Sequence, residues 1–197
     1  MDARTDADLL VAARSDTHAF EELYRRHVDK TVRFAARHSK APEEVVDLVA
    51  AIWLEAIASL ERFDPARGEA LPWILGIAAN LCAVERRRRA REKDLLGRLA
   101  GRRLLDEDDF VRLEGEIDAA AAAPRVRAVL ASLPPSERAI AELVLLDELT
   151  PAQASRALGI RPAAVRMRLA RARRKLRRVT DQADATALVE AIKEVSP

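Results

Sequence analysis

Arginine and lysine side chains dominate one stretch of this sequence, Thr150 to Arg178. Between Arg161 and Arg178 there are nine Arg or Lys residues and no acidic residue. A guanidinium group donates paired hydrogen bonds to phosphate oxygens and to the O6 and N7 acceptors of guanine. A helix that needs only to be solvated usually mixes both signs of charge, because opposite charges four residues apart stabilise it. The stretch therefore favours binding to a polyanion, and a solvated amphipathic helix pair is the alternative.

Local signals divide this stretch into two helices joined by a tight turn. Thr150 and Gln153 have the spacing of a capping box, and Pro151 occupies the first helical position. Gly159 can end the first helix, and Pro162 can begin the second. Apolar residues then recur at helical spacing, at Val165, Leu169, Ala172 and Leu176. The side chains expected to face outward are Arg166, Arg168, Arg171, Arg173, Arg174, Lys175, Arg177 and Arg178. The pattern predicts a helix-turn-helix whose second helix enters the major groove of DNA.

A second helix, predicted from about Leu71 to Arg91, places three further polar and aromatic side chains in a row. Trp73, Asn80 and Arg87 are seven residues apart, so each is displaced by only about 20° around the helix from the last. The indole can stack on a base, the amide can bond a base edge and the guanidinium can hold phosphate, which suits a single strand. The alternative is that Trp73 lies in the core and the arginines at 86–89 and 91 form a solvated helix end. The expected core residues of this helix are Ile74, Ile77, Leu81 and Val84.

The helix predicted from about Pro42 to Leu60 is apolar on two sides. One stripe consists of Val45, Leu48, Val49, Ile52, Ala56 and Leu60. The opposite side carries Asp47, Ala51, Leu54 and Ala58. Either the helix lies between two layers of its own domain, or its second face docks on another protein.

The predicted fold class is all-α, with two small helical domains joined by a linker and the helix-turn-helix in the second. Apolar residues make up 49% of the chain and aromatic residues 4%, and no sustained alternation of apolar and polar residues indicates strands. Further helices are expected at 6–15, 17–37, 135–146 and 184–195. His27 is expected to be an interior or flanking polar residue rather than a ligand. The domain limits are 1–95, a linker at 96–123, 124–180 and a C-terminal tail at 181–197.

Composition argues against several other classes of protein. The single Cys82 excludes an internal disulfide, and with three scattered histidines a structural zinc site is not expected. No apolar run approaches the roughly 20 residues that span a bilayer, and the N-terminus lacks the form of a signal peptide. The net charge is +2, but basic blocks flank an acidic block from Leu105 to Asp118. We expect a cytoplasmic chain without cofactor, metal or membrane insertion.

Taken together, these motifs resemble a bacterial RNA polymerase sigma factor of the extracytoplasmic-function class. The similarity covers about residues 19–91 and 126–178. It is carried by AFEELYRRHVDKTVRFAARH, by Asp47-Leu48-Val49, by RFDPARGEALPWILGIAANLCAVERRRR and by LASLPPSERAIAELVLLDELTPAQASRALGIRPAAVRMRLARARRKLR. The resemblance implies a dissociable, non-enzymatic subunit that binds core RNA polymerase and directs promoter recognition, DNA melting and transcription initiation at a restricted promoter set.

The resemblance also implies three groups of binding residues. The clamp coiled coil in the largest subunit of core RNA polymerase is expected to contact Asp47, Leu48, Val49, Ala51, Leu54 and Ala58. The flap region of the polymerase is a further expected partner of the chain. The melted non-template strand of the minus-ten element is expected at the loop 64–71 and at Arg67, Trp73, Asn80, Arg87 and Arg88. The duplex minus-thirty-five element is expected at Arg161, Arg166, Met167, Arg168, Ala170, Arg171 and Arg174. Base contacts are expected from Arg166 and Arg171, and phosphate contacts from Arg161, Arg168, Arg173 and Arg174. An anti-sigma protein would be a further partner.

Two features of the sequence depart from the family pattern, one in the predicted polymerase contact and one at the start of the recognition helix. The Gln-Glu pair that follows the Asp-Leu-Val triplet is Ala50-Ala51 here, and the acid before the aspartate is Val46, which bears on affinity for the polymerase. Arg161 stands where a small hydroxyl residue commonly caps the recognition helix, and such a cap contributes about 0.5–2 kcal/mol. The start of that helix is therefore expected to depend on phosphate contact or tertiary packing.

Two other functions compete with this interpretation. A transcriptional regulator could use the same helix-turn-helix without polymerase, usually as a dimer on a palindrome. The sequence has no coiled-coil heptads or obvious dimerisation helix, and the Trp73 to Arg91 helix would then be superfluous. The other candidate is a sigma-like interaction protein with weakened polymerase binding, for which Ala50-Ala51 is the support.

Overall fold

A computed structural model of the chain describes residues 4–39, 41–66, 68–100 and 130–179. Within these ranges the regular structure is helical and contains no strand, which confirms the expected all-α fold class. The helices are α1 (Asp6–Ala12), α2 (Thr17–His38), α3 (Pro42–Ala58), α4 (Ala70–Ala100), α5 (Pro135–Ala141), α6 (Pro151–Leu158) and α7 (Pro162–Val179). A 3₁₀ turn spans Leu60–Arg62, and a π-helical segment spans Glu142–Leu146. The helix expected at 184–195 lies outside the described residues.

The chain divides into two compact units. The first unit comprises residues 1–81 and 147–165, and the second comprises residues 82–146 and 166–197. These units follow contacts between helices rather than chain order, so they differ from the domain limits expected from the sequence. Those domain limits stay predictions.

The N-terminal helices of the first unit pack through a small buried polar cluster. His27 of α2 is 6% exposed, and its Nε2 lies 2.7 Å from Oδ2 of Asp6 on α1. Arg26 donates to the other oxygen of Asp6 at 2.8 Å. Burial by itself would raise the pKa of Asp6, but the hydrogen bonds and charges of Arg26 and His27 outweigh it, and the pKa is lowered. His27 is thus an interior polar residue, as the sequence predicted.

Trp53 of α3 is a core residue that the sequence pattern did not single out. It is 4% exposed, and its indole N–H donates to Oγ1 of Thr31 at 3.1 Å. Its ring meets Phe20 and Tyr24 edge-on, with centroids 5.8 Å and 4.9 Å away. Because the indole buries a large area and finds a hydrogen-bond partner, it anchors α3 against α2.

Helix α4 differs from its prediction in two ways. It continues to Ala100, beyond both the expected end at Arg91 and the expected start of the linker at residue 96. Its buried residues are Ala70, Ile74, Leu75, Ala78, Ala79 and Cys82, whereas Ile77 and Leu81 are half-buried and Val84 is 52% exposed. Of the four predicted core residues of α4, only Ile74 is fully buried. Beyond it, the small side chains of Ala78, Ala79 and Cys82 face the interior in place of Ile77, Leu81 and Val84.

The second unit surrounds a cluster formed by Leu130, Leu133, Ala141 and Ala172, with Leu145 and Leu146 packed against it. Pro135 opens α5, as the sequence predicted, but the helical path widens to a π-helix after Ala141.

Cys82 is buried, and its burial raises the pKa of the thiol to about 11. A thiol with so little thiolate at neutral pH is chemically inert.

The hydrogen bond between Trp53 and Thr31 can be tested by a nearly isosteric change. Thr31 is 0% exposed, so Thr31→Val leaves the indole N–H buried without an acceptor. An unsatisfied buried donor costs about 1–3 kcal/mol, and we expect that loss in the free energy of unfolding. The measurement is guanidinium unfolding followed by circular dichroism. Thr17→Val, at the exposed start of α2, is the matched control; equal stability of the two variants would contradict the assignment.

Candidate nucleic-acid interface

The turn between α6 and α7 forms as the sequence predicted. Thr150 accepts from the backbone N–H of Gln153, and the Gln153 side chain accepts from the backbone N–H of Thr150, which completes the capping box. Gly159 has φ of 62° and ψ of 30°, a left-handed conformation that glycine adopts without steric cost. The hydroxyl of Ser155 donates to the carbonyl of Ile160 at 2.6 Å. These bonds fix the turn that sets the direction of α7.

Helix α7 buries the apolar positions that the sequence assigned to its core. Val165 and Ala172 are 0% exposed and Leu169 is 5% exposed, while Leu176 is half-buried. The start of α7 has no side-chain cap from Arg161, whose carbonyl accepts from the backbone N–H groups of Ala164 and Val165. Tertiary burial of Val165 therefore stabilises this helix start, in line with one of the two expectations for it.

Most of the residues predicted to read duplex DNA lie on the exposed side of α7. The exposed members are Arg161, Arg166, Met167, Ala170, Arg171 and Arg174. Arg166, Ala170 and Arg174 follow at intervals of four residues, so they share a face. An Nη of Arg171 lies 3.8 Å from the sulfur of Met167, which aligns these two side chains. Arg168 is half-buried, and the expectation that it faces outward was therefore wrong. It comes three residues after Val165 and four before Ala172, which are both buried, so it lies at the edge of the buried face of α7.

One cation of α7 already has an acidic partner in the second unit. Nζ of Lys175 lies 3.7 Å from a carboxylate oxygen of Glu137 on α5, and the Glu137 side chain is only 10% exposed. Lys175 was not among the residues predicted to bind DNA. The ion pair gives Lys175 a contact within the fold, whereas Arg166, nine residues earlier, lies on the opposite and exposed side of α7.

On α4 the predicted row divides into one half-buried and two exposed residues. Trp73 is half-buried and meets Phe63 edge-on at 5.4 Å between centroids, whereas Asn80 and Arg87 are exposed. Trp73 is therefore not a fully buried core residue, and its stacking on a base stays a prediction. Arg67 lies outside the described residues.

Trp73 also lines a cavity of about 450 Å³ inside the first unit. Phe63 and Pro72 line it together with Trp73, and residues from Ser155 to Ile160 form the other side. Arg62 and Arg156 add positive charge, and Asp64 and Glu69 add negative charge. The open side of the indole therefore faces a cavity that is partly open to solvent.

The arginine cluster at the end of α4 is partly neutralised by neighbouring acids. Arg88 bonds both oxygens of Glu85 and reaches Glu92 at 2.6 Å, and Arg89 bonds Glu85 at 2.8 Å. The hydrogen bonds from Arg88 and Arg89 lower the pKa of Glu85 to about 2, and the same contacts raise the pKa of Arg88. Arg88 can therefore contact a phosphate only by giving up or sharing these carboxylates, which makes it the weakest member of the predicted strand-binding set.

The second side of α3 is exposed, which resolves one of the alternatives left by the sequence. Leu54 is 66% exposed, and Asp47 and Ala58 are exposed with it, whereas Leu48, Val49 and Ala51 are half-buried. The neighbouring apolar residues Val46 and Ile57 are 67% and 47% exposed. We call the exposed residues Val46, Asp47, Leu54, Ile57 and Ala58 the α3 outer face. An apolar surface of this kind is typical of a docking site.

Several contacts in the first unit could not be predicted from local spacing. Arg37 pairs with Asp147, 110 residues later, and Glu69 accepts from Gln153, 84 residues later. A Cβ added at Gly76 would lie 2.4 Å from the carbonyl oxygen of Ala157. The single available signal was Gly76 itself, because a glycine inside a helix often marks a close backbone approach.

Other kinds of site find no support in the described part of the chain. No group of three metal-ligating side chains occurs among those residues. No helix within the same ranges is long and apolar enough to cross a bilayer.

Known proteins resemble the chain in both sequence and fold. Sigma-70 region 2 matches residues 23–92, and sigma-70 region 4 matches residues 124–176. The ECF RNA polymerase sigma factor SigM of Mycobacterium tuberculosis strain H37Rv is 31% identical over 179 residues, which cover 89% of this chain and 85% of that protein. Similar folds occur in CnrH, solved with the cytosolic domain of CnrY (TM-score 0.59, 24% identity, 94% of this chain and 99% of that chain). The sigma factor RpoE of Bartonella quintana, solved with the anti-sigma factor NepR, is also similar (TM-score 0.64, 19% identity, 83% of this chain and 98% of that chain). The chain therefore belongs to the sigma-70 family, as a member of its extracytoplasmic-function (ECF) class of RNA polymerase sigma factors.

Proposed function

We propose that this chain binds core RNA polymerase and directs it to a restricted set of promoters, where it recognises and melts the DNA. The observation that carries the proposal is the exposed guanidinium face of α7 in a helix-turn-helix whose first helix starts with a complete capping box, in a chain that also matches sigma-70 region 2. The role is one of binding, as in the rest of the family, and no catalytic step is assigned to the chain. It would act in the cytoplasm, where the polymerase is.

The α7 face is assigned to the minus-thirty-five element. Arg166 and Arg171 are exposed and come before Arg174 along α7, and the N-terminal residues of a recognition helix are those that contact base edges. Arg161, just before α7, and Arg174, nearer its C-terminus than Arg171, are assigned to phosphates. Arg168, which is half-buried, is assigned to a phosphate at the edge of the contact.

The exposed part of α4 is assigned to the melted non-template strand of the minus-ten element. Asn80 can bond a base edge and Arg87 can hold a phosphate, because both are exposed on neighbouring turns. Trp73 would stack on a base from the cavity that it lines. Arg88 contributes long-range positive charge rather than a firm contact, since Glu85 and Glu92 hold its guanidinium.

The α3 outer face is assigned to the polymerase. Leu54 and Ile57 offer exposed apolar area, and Asp47 offers one charge at the edge of that area. Ala50-Ala51 removes the polar pair of the family pattern, so the contact depends on apolar burial here. The proposed contact also includes the half-buried residues of α3 that lie next to the exposed ones, namely Leu48, Val49 and Ala51. The coiled coil of the largest-subunit clamp is the proposed partner of this face, and the flap region that of the helix-turn-helix.

An anti-sigma protein is a second proposed partner. The fold resembles those of CnrH and RpoE, which were solved in complexes with CnrY and with the anti-sigma factor NepR. A competitor that covered the α3 outer face would exclude the polymerase from the same apolar residues.

The defining experiment is transcription by purified core RNA polymerase on sheared genomic DNA of the source organism, with and without this chain. We expect discrete RNA start points that appear only with the chain and share upstream motifs at fixed spacing. The motif near minus thirty-five should contain guanine opposite Arg166 or Arg171. Polymerase binding without any new start point would contradict the proposed function.

Leu54→Glu should weaken binding to core polymerase, because it places a charge in the centre of the apolar contact. Loss of a central contact residue typically costs about 2 kcal/mol, which is roughly a thirtyfold rise in Kd. The measurement is titration of labelled chain with core enzyme. Val11→Glu introduces the same charge at a 39% exposed apolar residue on α1, outside the α3 outer face. If both variants bind the polymerase equally well, the assignment of α3 is wrong.

Arg171→Ala and Arg174→Ala should have different effects on duplex binding by the holoenzyme. Arg171→Ala should reduce discrimination at one base pair of the upstream element by about 1–3 kcal/mol. Arg174→Ala should weaken binding to all sequences alike and reduce the salt slope by about one. The measurement is promoter affinity on single-base variants at several salt concentrations. Equal losses on every sequence from Arg171→Ala would refute the base contact.

A further inference from the structure

An arginine in the turn between α1 and α2 holds the segment that leads from α3 into the loop 64–71. Arg14 comes two residues after the end of α1, and its side chain is 29% exposed. Its guanidinium group donates to the carbonyl of Leu60 from Nε at 3.3 Å and from an Nη at 3.2 Å. The same Nη donates to the carbonyl of Phe63 at 2.8 Å. These residues all lie inside the first unit, and the proposed function gives Arg14 no role.

The turn that carries Arg14 is held on both sides. Helix α1 buries two leucines completely, and the backbone N–H of Arg14 donates to the carbonyl of Val11 at 3.4 Å. Asp16 caps the start of α2, because its carboxylate accepts from the backbone N–H of His18 at 3.0 Å. The guanidinium group therefore starts from a fixed backbone and reaches carbonyls that lie 46 and 49 residues later in the chain.

The sequence after Phe63 explains why its carbonyl accepts a hydrogen bond from so far away. Phe63 ends the 3₁₀ turn with φ of −72° and ψ of 127°, so the chain leaves the helical path there. Pro65 has no N–H group, and the N–H of Ala66 donates to Oδ1 of Asp64 at 3.0 Å. Neither of these positions gives a backbone donor to the Phe63 carbonyl, and Arg14 satisfies it instead.

Phe63 connects this anchor to the surface that is assigned to the melted strand. Phe63 is 4% exposed, and its ring meets Trp73 edge-on with 5.4 Å between centroids. The next residue, Asp64, begins the loop that is expected to meet the same strand. A fixed Phe63 backbone therefore determines both the direction of this loop and the position of the ring that packs against Trp73.

A surface ion pair is the other contact of the Arg14 guanidinium. A carboxylate oxygen of Glu61 lies 3.8 Å from Nε of Arg14, but the Glu61 side chain is 80% exposed. Such an exposed pair contributes little to stability. Hydrogen bonds from a charged donor are stronger than neutral ones, so the two carbonyls rather than Glu61 define where the guanidinium lies.

We propose that Arg14 is a positioning residue for recognition of the minus-ten element: it fixes the start of the loop 64–71 and the support of Trp73 without contacting DNA. The proposal rests on the proposed function, which assigns the melted strand to Trp73. The site needs the guanidinium fork, because two of its nitrogen atoms reach two carbonyls together. Lysine keeps the charge but lacks the fork, so Arg14→Lys separates positioning from charge.

The positioning part is tested on the free full-length chain by hydrogen–deuterium exchange at the amides of Phe63 and Ala66. These amides donate to the carbonyl of Leu60 and to the carboxylate of Asp64, so their exchange reports on local opening of the segment. We expect roughly tenfold faster exchange in Arg14→Met and in Arg14→Lys, because hydrogen bonds from a charged donor are lost. Exchange at the wild-type rate in both variants would overturn the proposal.

Two controls separate this effect from loss of charge and from loss of stability. Arg25 is 68% exposed and pairs with Glu21 on the same helix at 3.4 Å, so Arg25→Met removes a surface charge elsewhere on the first unit. Its exchange at the segment should match that of the wild-type chain. Thr31→Val, which is expected to lower the stability of the core, shows in the promoter measurement what a general loss of stability does.

The recognition part is measured with holoenzyme on the mapped promoters, as open-complex formation on single-base variants of each element. Both Arg14 variants should lose roughly tenfold in discrimination at the minus-ten element, since one mismatched base pair costs about that factor. Discrimination at the minus-thirty-five element and affinity for core polymerase should stay at the wild-type level. The two controls should keep full discrimination at both elements.

Three outcomes would contradict this role for Arg14. Full discrimination in Arg14→Lys would show that charge alone suffices, and an equal loss in Thr31→Val would reduce the role to general stability. Faster exchange with unchanged discrimination at the minus-ten element would separate the segment from recognition. Absence of discrete starts with the wild-type holoenzyme would overturn the proposed function together with this role, whereas wild-type discrimination that both Arg14 variants keep would overturn this role alone.

Discussion

A guanidinium group in this chain either has a carboxylate partner within the fold or is available to an external anion, and that division determines which surfaces can bind DNA. The chain has 34 Lys and Arg residues and 32 Asp and Glu residues, so its net charge does not indicate which surfaces bind DNA. On α4, Glu85 holds Arg88 and Arg89, so part of the local positive charge is neutralised within the fold. On α7, the absence of acids from 161 to 178 rules out pairing along the helix, and partners such as Glu137 must come from elsewhere. The two basic blocks of the sequence therefore differ in strength as anion-binding surfaces.

Sequence reasoning succeeded where structure depends on neighbours along the chain. Local rules predicted the capping box at Thr150 and the helix end at Gly159, and both are confirmed. They also predicted the core positions of α7, and the buried residues there are Val165, Leu169 and Ala172. The class of fold followed from the same rules. For the candidate site, local spacing also placed Arg166, Arg171 and Arg174 on an exposed face.

The failures involve packing that depends on distant residues. Val84 looked like a core residue by spacing, but Ala78, Ala79 and Cys82 are buried instead, because α4 packs closely through small side chains. The role of Trp53 as a core anchor could not be predicted from spacing, since its hydrogen-bond partner Thr31 lies on another helix. The pairing of Arg37 with Asp147 joins residues that are 110 positions apart, which no periodicity encodes. Roles that depend on binding partners stay proposals for the same reason.

Helix α6 has two structural roles, and they are coupled. Through Ser155 and Gly159 it sets the direction of the helix that is assigned to duplex DNA, and through Ala157 it lies against the helix assigned to the melted strand. Residues that share contacts are not energetically independent, so a substitution in α6 is expected to act on both assigned surfaces together. The buried ion pair between Arg37 and Asp147 holds the loop before α6 in the same unit, and removal of one partner would leave the other charge buried without compensation. The packing of α6, rather than the residues assigned to DNA contact, therefore links the two surfaces.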